Sequence, residues 1–253
     1  MSNRLNDKTA LVTGSTSNIG RAIAVAFAAE GAHVVVSGRD EARGAEVVDE
    51  IRAAGGRADF VAAELDGSAA TSTGLAAAAT ELLGGRIDIL VNNAGIFPSG
   101  KTTEFDEATF DRVYAVNVKA PFFLTAAIAP AMAERGSGAI INLGSWIARL
   151  AIGTSPLYSS TKGAMETLTR SWAAEFGPSG VRVNAISPGV IREAPTADDP
   201  GERAMRGTPA GGSGTPDAVA SAAVYLASDE AAFVHGTVID VDGGRVAVAV
   251  FAN

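Results

Sequence analysis

Cysteine is absent from this sequence, and histidine occurs only at His33 and His235. The absence of cysteine excludes disulfides, thiolate nucleophiles and cysteine-ligated metal sites. Neither histidine has the spacing of a metal ligand, so the sequence predicts no metal site. A Gly-x-Ser-x-Gly elbow is also missing, which argues against a serine hydrolase.

Long hydrophobic runs are missing as well. The first ten residues are polar and lack the apolar core of a signal peptide. The longest apolar run, residues 120–133, contains two prolines. It is shorter than the ~20 residues that span a bilayer. We therefore expect a soluble, cytoplasmic protein with no membrane partner.

Positive charge is in the minority, because 20 Lys and Arg residues accompany 28 Asp and Glu residues, and the formal net charge is −8. An acidic surface repels the phosphate backbone of nucleic acids. The sequence therefore argues against a nucleic-acid partner. It leaves room for one local basic pocket that holds a phosphorylated cofactor.

Hydrophobic residues make up 47% of the chain, which predicts a large buried core. Apolar runs typical of buried parallel strands cover residues 9–13, 33–37, 59–63, 87–92, 139–143, 181–186 and 237–241. Helical stretches alternate with them and include residues 21–30, 41–54, 107–135, 156–176 and 216–227. The third of these contains Pro121 and Pro130 as candidate break points. The pattern predicts a single α/β domain over residues 1–253, with a doubly wound, mainly parallel Rossmann sheet of about seven strands and helices on both faces.

Residues 192–214 depart from this alternation. They are rich in Pro, Gly, Asp and Ala and have little apolar periodicity. They follow the sixth predicted strand, at the carboxyl edge of the sheet, where ligands bind in such folds. We interpret them as a substrate lid that includes the solvated pair Asp198-Asp199. The alternative is a disordered surface loop.

A glycine-containing turn joins the first predicted strand to the first helix. It consists of Gly14, Ser15, Thr16, Ser17, Asn18, Ile19 and Gly20. Such a turn lets the backbone approach a pyrophosphate, and the helix N-terminus adds N–H donors and a favourable dipole. Asn18 stands where a third glycine is expected, and asparagine tolerates a left-handed backbone better than most residues. The alternative, for this motif alone, is a simple tight turn.

The residues after the second predicted strand indicate which dinucleotide would bind. NAD sites place an acidic residue there for the ribose hydroxyls, and NADP sites place a basic one beside the 2′-phosphate. The sequence has Ser37-Gly38-Arg39-Asp40, and a guanidinium pairs well with phosphate. We therefore favour NADP(H). NAD(H) is the alternative if Arg39 is merely an exposed arginine and Asp40 does more than cap the next helix.

Tyr158 and Lys162 lie four residues apart at the start of a predicted helix, so both project from one face. A phenol with a pKa of ~10 is a poor base near neutrality, and a nearby ammonium group favours the phenolate. Such a pair suits delivery of a proton to a carbonyl oxygen as hydride reaches the carbon. Ser145 follows a predicted strand, and its hydroxyl could hold and polarise the same oxygen. The alternatives are a core tyrosine and a strand-end serine.

Together these segments resemble the short-chain dehydrogenase/reductase family over nearly the whole chain, and members similar to 3-oxoacyl-[acyl-carrier-protein] reductases in particular. The matching segments are residues 13–20, Asn92-Asn93-Ala94-Gly95, Asn117, Ser145, Tyr158-Ser159-Ser160-Thr161-Lys162, Ser187-Pro188-Gly189 and Asp242-Gly243-Gly244. The resemblance implies that Tyr158 is the general acid/base and that Ser145 orients the substrate. It implies that Lys162 binds the nicotinamide ribose while tuning Tyr158, and that Asn117 supports a water-linked proton relay.

The resemblance also implies cofactor contacts beyond the glycine-containing turn. They are Asn93, Ala94 and Gly95 on the adenosine side, Asp66 at the adenine, and Pro188, Gly189 and Ile191 beside the nicotinamide. Three departures from the family pattern stand out. Asn18 occupies the middle of the first turn, and Glu193 replaces a frequent threonine. The stretch around Gly212 lacks the arginine of acyl-carrier-protein reductases, which argues against a carrier-protein substrate.

We therefore predict an NADP(H)-dependent oxidoreductase that interconverts a ketone, or a 3-oxoacyl thioester, and a secondary alcohol. One alternative is an NAD-preferring dehydrogenase of the same family. Another is a non-catalytic protein that senses a dinucleotide. A halohydrin dehalogenase, which resembles this family without the redox chemistry, is disfavoured by Lys162 and Gly20.

The substrate and the assembly are less constrained by the sequence. The matched motifs are flanked by apolar residues that predict a hydrophobic small-molecule substrate: Ile96, Phe97, Trp146, Ile147, Leu150, Leu157 and Val190. Arg149 and Glu193 are candidate polar handles. The resemblance implies a homotetramer. An apolar tail at residues 246–252 agrees with that, and so do Met165, Leu168, Trp172 and Phe176, although each group would also fit a core.

Overall fold

Seven parallel strands form the centre of the molecule. The computed structural model of the protein describes residues 3–150, 152–194 and 199–249. The strands are β1 (Thr9–Thr13), β2 (His33–Gly38), β3 (Arg57–Ala62), β4 (Ile89–Asn92), β5 (Gly138–Leu143), β6 (Val181–Pro188) and β7 (Val238–Val241). Their order is β3-β2-β1-β4-β5-β6-β7, and every neighbouring pair is parallel. The predicted doubly wound sheet is confirmed.

Eight α-helices accompany the strands in the described part of the chain. They are α1 (Asn18–Ala29), α2 (Glu41–Ala53), α3 (Ala69–Leu82), α4 (Glu107–Tyr114), α5 (Ala120–Arg135), α6 (Pro156–Phe176), α7 (Pro200–Met205) and α8 (Pro216–Ala227). Local chemistry sets several of their ends. Asp40 caps α2 and Ser68 caps α3, each by accepting a hydrogen bond from a backbone N–H of the first turn. Gly136 ends α5 in a left-handed conformation with φ 73°.

Helices cover both faces of the sheet, which is why the strands are continuously apolar rather than alternating. In β2, the fully buried Val34 and Val36 face one core layer and Val35 faces the other. The first layer includes residues of α1, α2 and α8, among them Ile23, Phe27, Ile51, Val219 and Val224. The second includes residues of α3, α5 and α6, among them Leu75, Leu124, Met132, Met165 and Trp172.

The predicted helix over residues 107–135 has the right extent, but its interruption is not at a proline. A π-helical turn, Ala115–Lys119, separates α4 from α5. Pro121 lies in the first turn of α5, where a missing N–H costs little, and Pro130 stays inside that helix. By length and composition the combined stretch could cross a membrane. Here Leu124 and Met132 are fully buried in the core, so this stretch packs against the sheet.

The direction of winding reverses at β1. The chain runs outward from β1 to β2 and β3, then returns to place β4 on the other side of β1. The connections that follow β1 and β4 therefore run in opposite directions and leave a crevice at the carboxyl ends of these strands. Ligands bind at this place in open α/β sheets.

The described residues of the 192–214 segment are more ordered than the predicted irregular loop. They contain α7, whose Met205 is 1% exposed, and the Ala210 N–H donates to the Gly243 carbonyl at 3.1 Å. Asp199 caps α7 by accepting a hydrogen bond from the Gly201 N–H. Residues 195–198, including Asp198, lie outside the described residues. The described part of the segment is thus docked on the turn after β7.

Candidate active site

The turn between β1 and α1 has the backbone geometry of a phosphate-binding loop. Gly14 has φ 62° and Asn18 has φ 46°, so the expected left-handed conformation of Asn18 is confirmed. A Cβ atom on Gly20 would lie 2.3 Å from the Gly14 carbonyl oxygen, which no real side chain tolerates. Ser17, at the N-cap of α1, makes no side-chain capping bond. The first N–H groups of α1 are therefore available to an anion.

Ser15 was expected to contact a cofactor, but its side chain points into the protein. It is fully buried, and its hydroxyl donates to the Val12 carbonyl at 2.6 Å and accepts from the Ser37 N–H at 3.0 Å. Ser15 thus joins the ends of β1 and β2. Its contribution to the loop is structural.

Hydrogen bonds from β4 hold the same loop from the other side. The Asn93 amide Nδ2 donates to the carbonyls of Thr13 and Gly14 at 2.8 and 2.9 Å. The Thr13 hydroxyl accepts from the N–H groups of Asn93 and Ala94, both at 3.1 Å. Sequence reasoning assigned no role to Thr13, although its place at the end of a buried strand was a usable signal. These bonds fix the two sides of the crevice relative to each other.

The far end of the crevice carries both signs of charge. The Arg39 side chain is 62% exposed, and its Nη1 lies 4.0 Å from Glu64 Oε1. Asp40 accepts hydrogen bonds from the backbone and the side chain of Arg43, which lower the pKa of Asp40. Asp40 therefore caps α2, as expected. Arg43 and Glu64 line the same crevice and were missed by sequence reasoning.

Asp66 lies in the loop after β3, on the wall of the crevice. Its carboxylate accepts a hydrogen bond from the Ser68 N–H at 2.8 Å, which lowers the pKa of Asp66. The carboxylate is exposed and ionised at neutral pH. It therefore remains available as an acceptor for a ligand.

Ser145, Tyr158 and Lys162 come together at the opposite end of the crevice. Ser145 precedes a 3₁₀ turn, Trp146–Ala148, directly after β5. Tyr158 and Lys162 lie on the first turns of α6, which begins at Pro156. Lys162 is 5% exposed; its Nζ donates to the Leu143 carbonyl at 2.7 Å and lies 5.6 Å from the centre of the Tyr158 ring.

Burial shifts the pKa values of both Tyr158 and Lys162. Burial raises the pKa of Tyr158 to about 12, and a hydrogen bond with Ser145 acts in the opposite direction. Burial lowers the pKa of Lys162 to about 8. Each group, once charged, stabilises the charge on the other, because an ammonium and a phenolate attract. The neutral phenol is thus the resting form near pH 7 and is able to donate a proton.

Asn117 lies in the π-helical turn and is 1% exposed. Its side chain exchanges two hydrogen bonds of 2.8 Å with the backbone of Ile96, and its Nδ2 also donates to Thr161 at 3.1 Å. It therefore ties the loop after β4 to α6. π-Helical turns occur often at functional sites.

One crevice of about 930 Å³ joins these features. Ser15 and Asn117 lie behind its wall. The other predicted site residues line it: Gly14, Thr16, Ser17, Asn18, Ile19, Gly20, Arg39, Asp66, Asn93, Ala94, Gly95, Ser145, Tyr158, Lys162, Pro188, Gly189 and Ile191. Among the described residues, no group of three or more His, Asp or Glu side chains could hold a metal ion.

The crevice is mainly apolar beside Tyr158. The predicted residues Ile96, Phe97, Trp146, Ile147 and Val190 line it, together with Ile152, which was not predicted. Phe97 is 74% exposed and meets the Tyr158 ring edge-on, with 6.1 Å between centroids.

Four of the predicted wall or handle residues do not line this part of the crevice. Leu150 is not among the lining residues, and Leu157 lines a separate groove beside Phe105. Arg149 is paired with Asp240, and Glu193 is exposed to solvent outside the crevice. Arg192 also lines the crevice, and Asp199 pairs with it by accepting two hydrogen bonds.

Comparison with known proteins identifies the family. Residues 14–245 match the family model described as enoyl-(acyl carrier protein) reductase. The chain is 38% identical to the 2,5-dichloro-2,5-cyclohexadiene-1,4-diol dehydrogenase of Sphingobium indicum, covering 96% of this chain and 98% of the relative.

Solved structures agree. A short-chain dehydrogenase/reductase family protein has a TM-score of 0.88 at 44% identity, covering 97% of this chain and 100% of its own. The 3-oxoacyl (acyl-carrier-protein) reductase of Agrobacterium tumefaciens C58, with NADP bound, has a TM-score of 0.88 at 30% identity, covering 96% and 95%. The chain belongs to the short-chain dehydrogenase/reductase family, whose enzymes act on CH–OH and C=O groups.

Proposed function

We propose that the protein is an NADP(H)-dependent oxidoreductase that interconverts an apolar ketone, or a 3-oxoacyl thioester, and a secondary alcohol. One observation carries the proposal: the glycine-containing loop and the Ser145, Tyr158 and Lys162 side chains line the two ends of one crevice. A dinucleotide bound along it would have its phosphates at the loop and its nicotinamide beside Tyr158.

The residues present fit such a cofactor. The missing Cβ atoms of Gly14 and Gly20 let the loop pack closely on itself and against Asn93 and Ala94. This packing presents the uncapped start of α1, whose N–H groups suit a pyrophosphate. We assign Arg39 to the 2′-phosphate because its guanidinium is exposed. Glu64 competes for it weakly, since the two groups are 4.0 Å apart. The NADP bound to the A. tumefaciens reductase supports this choice. Bound NADPH supplies the hydride for reduction.

The remaining cofactor contacts follow from the lining of the crevice. We assign Asp66, Asn93, Ala94 and Gly95 to the adenosine half, and Pro188, Gly189 and Ile191 to the nicotinamide half. Lys162 is assigned to the nicotinamide ribose.

Tyr158 is the proposed acid/base. In the reducing direction its neutral phenol donates a proton to the substrate oxygen, and the Ser145 hydroxyl holds that oxygen in place. The phenolate that remains is stabilised by the Lys162 ammonium, 5.6 Å from the ring centre. Asn117 holds the loop after β4 against α6, and we propose that the π-helical turn around it supports the water-linked relay that returns the proton.

The proposed substrate is hydrophobic because the wall beside Tyr158 is mainly apolar and the Arg192 guanidinium is paired with Asp199. Phe97 presents an exposed ring to a bound substrate, and Ile152 lies at the same mouth. Residues 192–214 are the proposed lid. Arg192, the first residue of this segment, lines the crevice, and α7 lies within the segment. Exposed apolar surface at the mouth of a crevice favours apolar ligands.

A homotetramer in the cytoplasm is the proposed assembly. Met165 and Trp172 are core residues, so they give no support to an interface. The support comes from α4 and α5, where Phe110 and Phe122 are exposed and Phe110 stacks on Tyr114 at 4.9 Å. The apolar tail continues past residue 249, outside the described residues. A monomer in sedimentation at micromolar concentration would overturn this assembly.

Paired titrations with NADPH and NADH, followed by nicotinamide fluorescence, test the cofactor. We expect tight NADPH binding, and Arg39→Ala should weaken it much more than it weakens NADH binding. Arg21→Ala removes an arginine paired with Glu50 outside the crevice and serves as the control. Preference for NADH would keep the enzyme class and remove Arg39 from its role.

Turnover with a broad panel of carbonyl compounds tests the chemistry. Tyr158→Phe should keep NADPH affinity and lose at least about a hundredfold in turnover, the usual contribution of a general acid. Full turnover by this variant would refute the assignment of Tyr158. NADPH binding without turnover on any compound would favour the dinucleotide sensor, and a preference for small charged sugars would refute the apolar substrate.

A further inference from the structure

Arg149 terminates the turn that carries Ser145. The Ala148 N–H donates to the Ser145 carbonyl at 2.9 Å, and the N–H groups of Arg149 and Leu150 both donate to Trp146 at 3.1 Å. The Ser145 hydroxyl also accepts from the Ile147 N–H within this turn. Because these hydrogen bonds make the turn one compact unit, an interaction that fixes the position of Arg149 also fixes the position of Ser145.

The guanidinium of Arg149 is held by the last strand of the sheet. It makes a two-pronged pair with the carboxylate of Asp240 on β7: Nη1 donates to Oδ2 at 2.9 Å and Nη2 donates to Oδ1. The two residues are 91 positions apart in the sequence. A bidentate pair of this kind fixes orientation as well as distance, unlike a single-contact surface ion pair.

A second carboxylate links the same arginine to the catalytic helix. Glu166 lies on α6, one turn after Lys162, and is 8% exposed. Its Oε1 is buried without a hydrogen-bond partner, and the nearest cation is Arg149 Nε at 3.6 Å. A buried carboxylate depends on such a cation, because removing the cation leaves an uncompensated charge.

Trp146, which follows Ser145 in the turn, also contacts the segment that contains β7. The Arg245 guanidinium lies 5.2 Å from the centre of the Trp146 ring. β7 and the turn after it therefore contact the Ser145 turn at two points, Asp240 at Arg149 and Arg245 at Trp146.

Resting on the function proposed above, we infer that Arg149 is a positioning residue that sets the Ser145 hydroxyl against Tyr158 by joining the Ser145 turn to Asp240 on β7 and Glu166 on α6. It touches neither the reacting atoms nor the crevice. Its loss should let the turn move relative to α6. A displacement of a reacting group by ~1 Å is enough to cost up to about a hundredfold in rate.

The test uses Arg149→Met and the milder Asp240→Asn in the full chain, with Arg4→Met as the matched control. Arg4 makes a bidentate pair with Glu230, at 2.9 and 2.6 Å, away from the crevice. We expect both test variants to lower kcat by about tenfold, with unchanged NADPH affinity, and the control to behave as wild type.

The pH dependence separates positioning from simple loss of structure. The hydrogen bond from Ser145 lowers the pKa of Tyr158, so a displaced Ser145 raises it. Ultraviolet difference titration against Tyr158→Phe follows tyrosinate formation without any substrate. In Arg149→Met the titration midpoint should move to higher pH. An unmoved midpoint, with activity reduced only in proportion to the folded fraction, would overturn the inference.

The variants Ser145→Ala and Tyr158→Phe distinguish a failure of the Arg149 inference from a failure of the proposed function. If both lose turnover while Arg149→Met and Asp240→Asn keep the kcat and the midpoint of wild type, the positioning role is refuted and the proposed function stands. If Ser145→Ala and Tyr158→Phe both keep turnover, the proposed function fails and the inference fails with it.

Discussion

Replacement of Lys162 by methionine removes a buried ammonium group but keeps most of the volume of the side chain. The Lys162 Nζ lies 5.6 Å from the centre of the Tyr158 ring. Burial raises the pKa of Tyr158 to about 12 and lowers that of Lys162 to about 8. The phenolate therefore depends on the nearby cation, and the variant isolates that dependence.

The distance gives the size of the effect. If the 5.6 Å between Nζ and the ring centre is taken as the separation of the charges, they attract by about 3 kcal/mol at an effective dielectric constant of about 20, and about 1.36 kcal/mol is a factor of ten. Oxidation of an alcohol requires the phenolate as base, so its rate rises with pH as Tyr158 loses its proton. Without the ammonium the phenolate forms at higher pH. Below about pH 8, where Lys162 keeps its proton, the phenolate population and with it the oxidation rate should fall by about a hundredfold.

The assay is single-turnover oxidation of a secondary alcohol at saturating NADP⁺, measured at a fixed pH below about 8, where Lys162 is charged. Saturation removes any loss of contact between Lys162 and the cofactor from the comparison. Lys8→Met, which alters a lysine paired with Asp229, is the control. An oxidation rate equal to that of wild type, in folded Lys162→Met that still binds NADP⁺, would refute the electrostatic role of Lys162.

Two further variants test the loop and its support. Gly20→Ala places a methyl group 2.3 Å from the Gly14 carbonyl; it should abolish NADPH binding in fluorescence titrations and lower the Tm, and unchanged affinity would contradict the close packing. Thr13→Val leaves the Ala94 N–H without its acceptor, whereas the Asn93 N–H keeps the Val91 carbonyl. Urea unfolding should show a loss of about 1–3 kcal/mol, and equal stability would show that another acceptor replaces the hydroxyl.

Much of the fold is encoded locally and could be predicted. β1 (Thr9–Thr13), α6 (Pro156–Phe176) and α8 (Pro216–Ala227) have the predicted bounds, since each begins or ends at a proline, a glycine or a change in periodicity. By contrast α3 was implied only by the alternation, because its alanine-rich sequence has no marked apolar face. The π-helical turn Ala115–Lys119 was also missed, because the interruption of the helix was predicted at Pro121 or Pro130.

The candidate site divides in the same way. The sequence by itself determined that Tyr158 and Lys162 share one face of a helix, since four residues is about one helical turn. It also determined that Asn18 would tolerate a left-handed backbone, a property of the residue itself.

Only the tertiary structure decided which way the remaining side chains point. Ser15 and Asn117 face inward because the hydrogen-bonding groups they satisfy belong to other segments of the chain, such as Ser37 and Ile96. Arg149 meets Asp240 because β7 packs beside β6 at the far edge of the sheet. Such partners come from elements distant in sequence, and no local periodicity records their distance or direction.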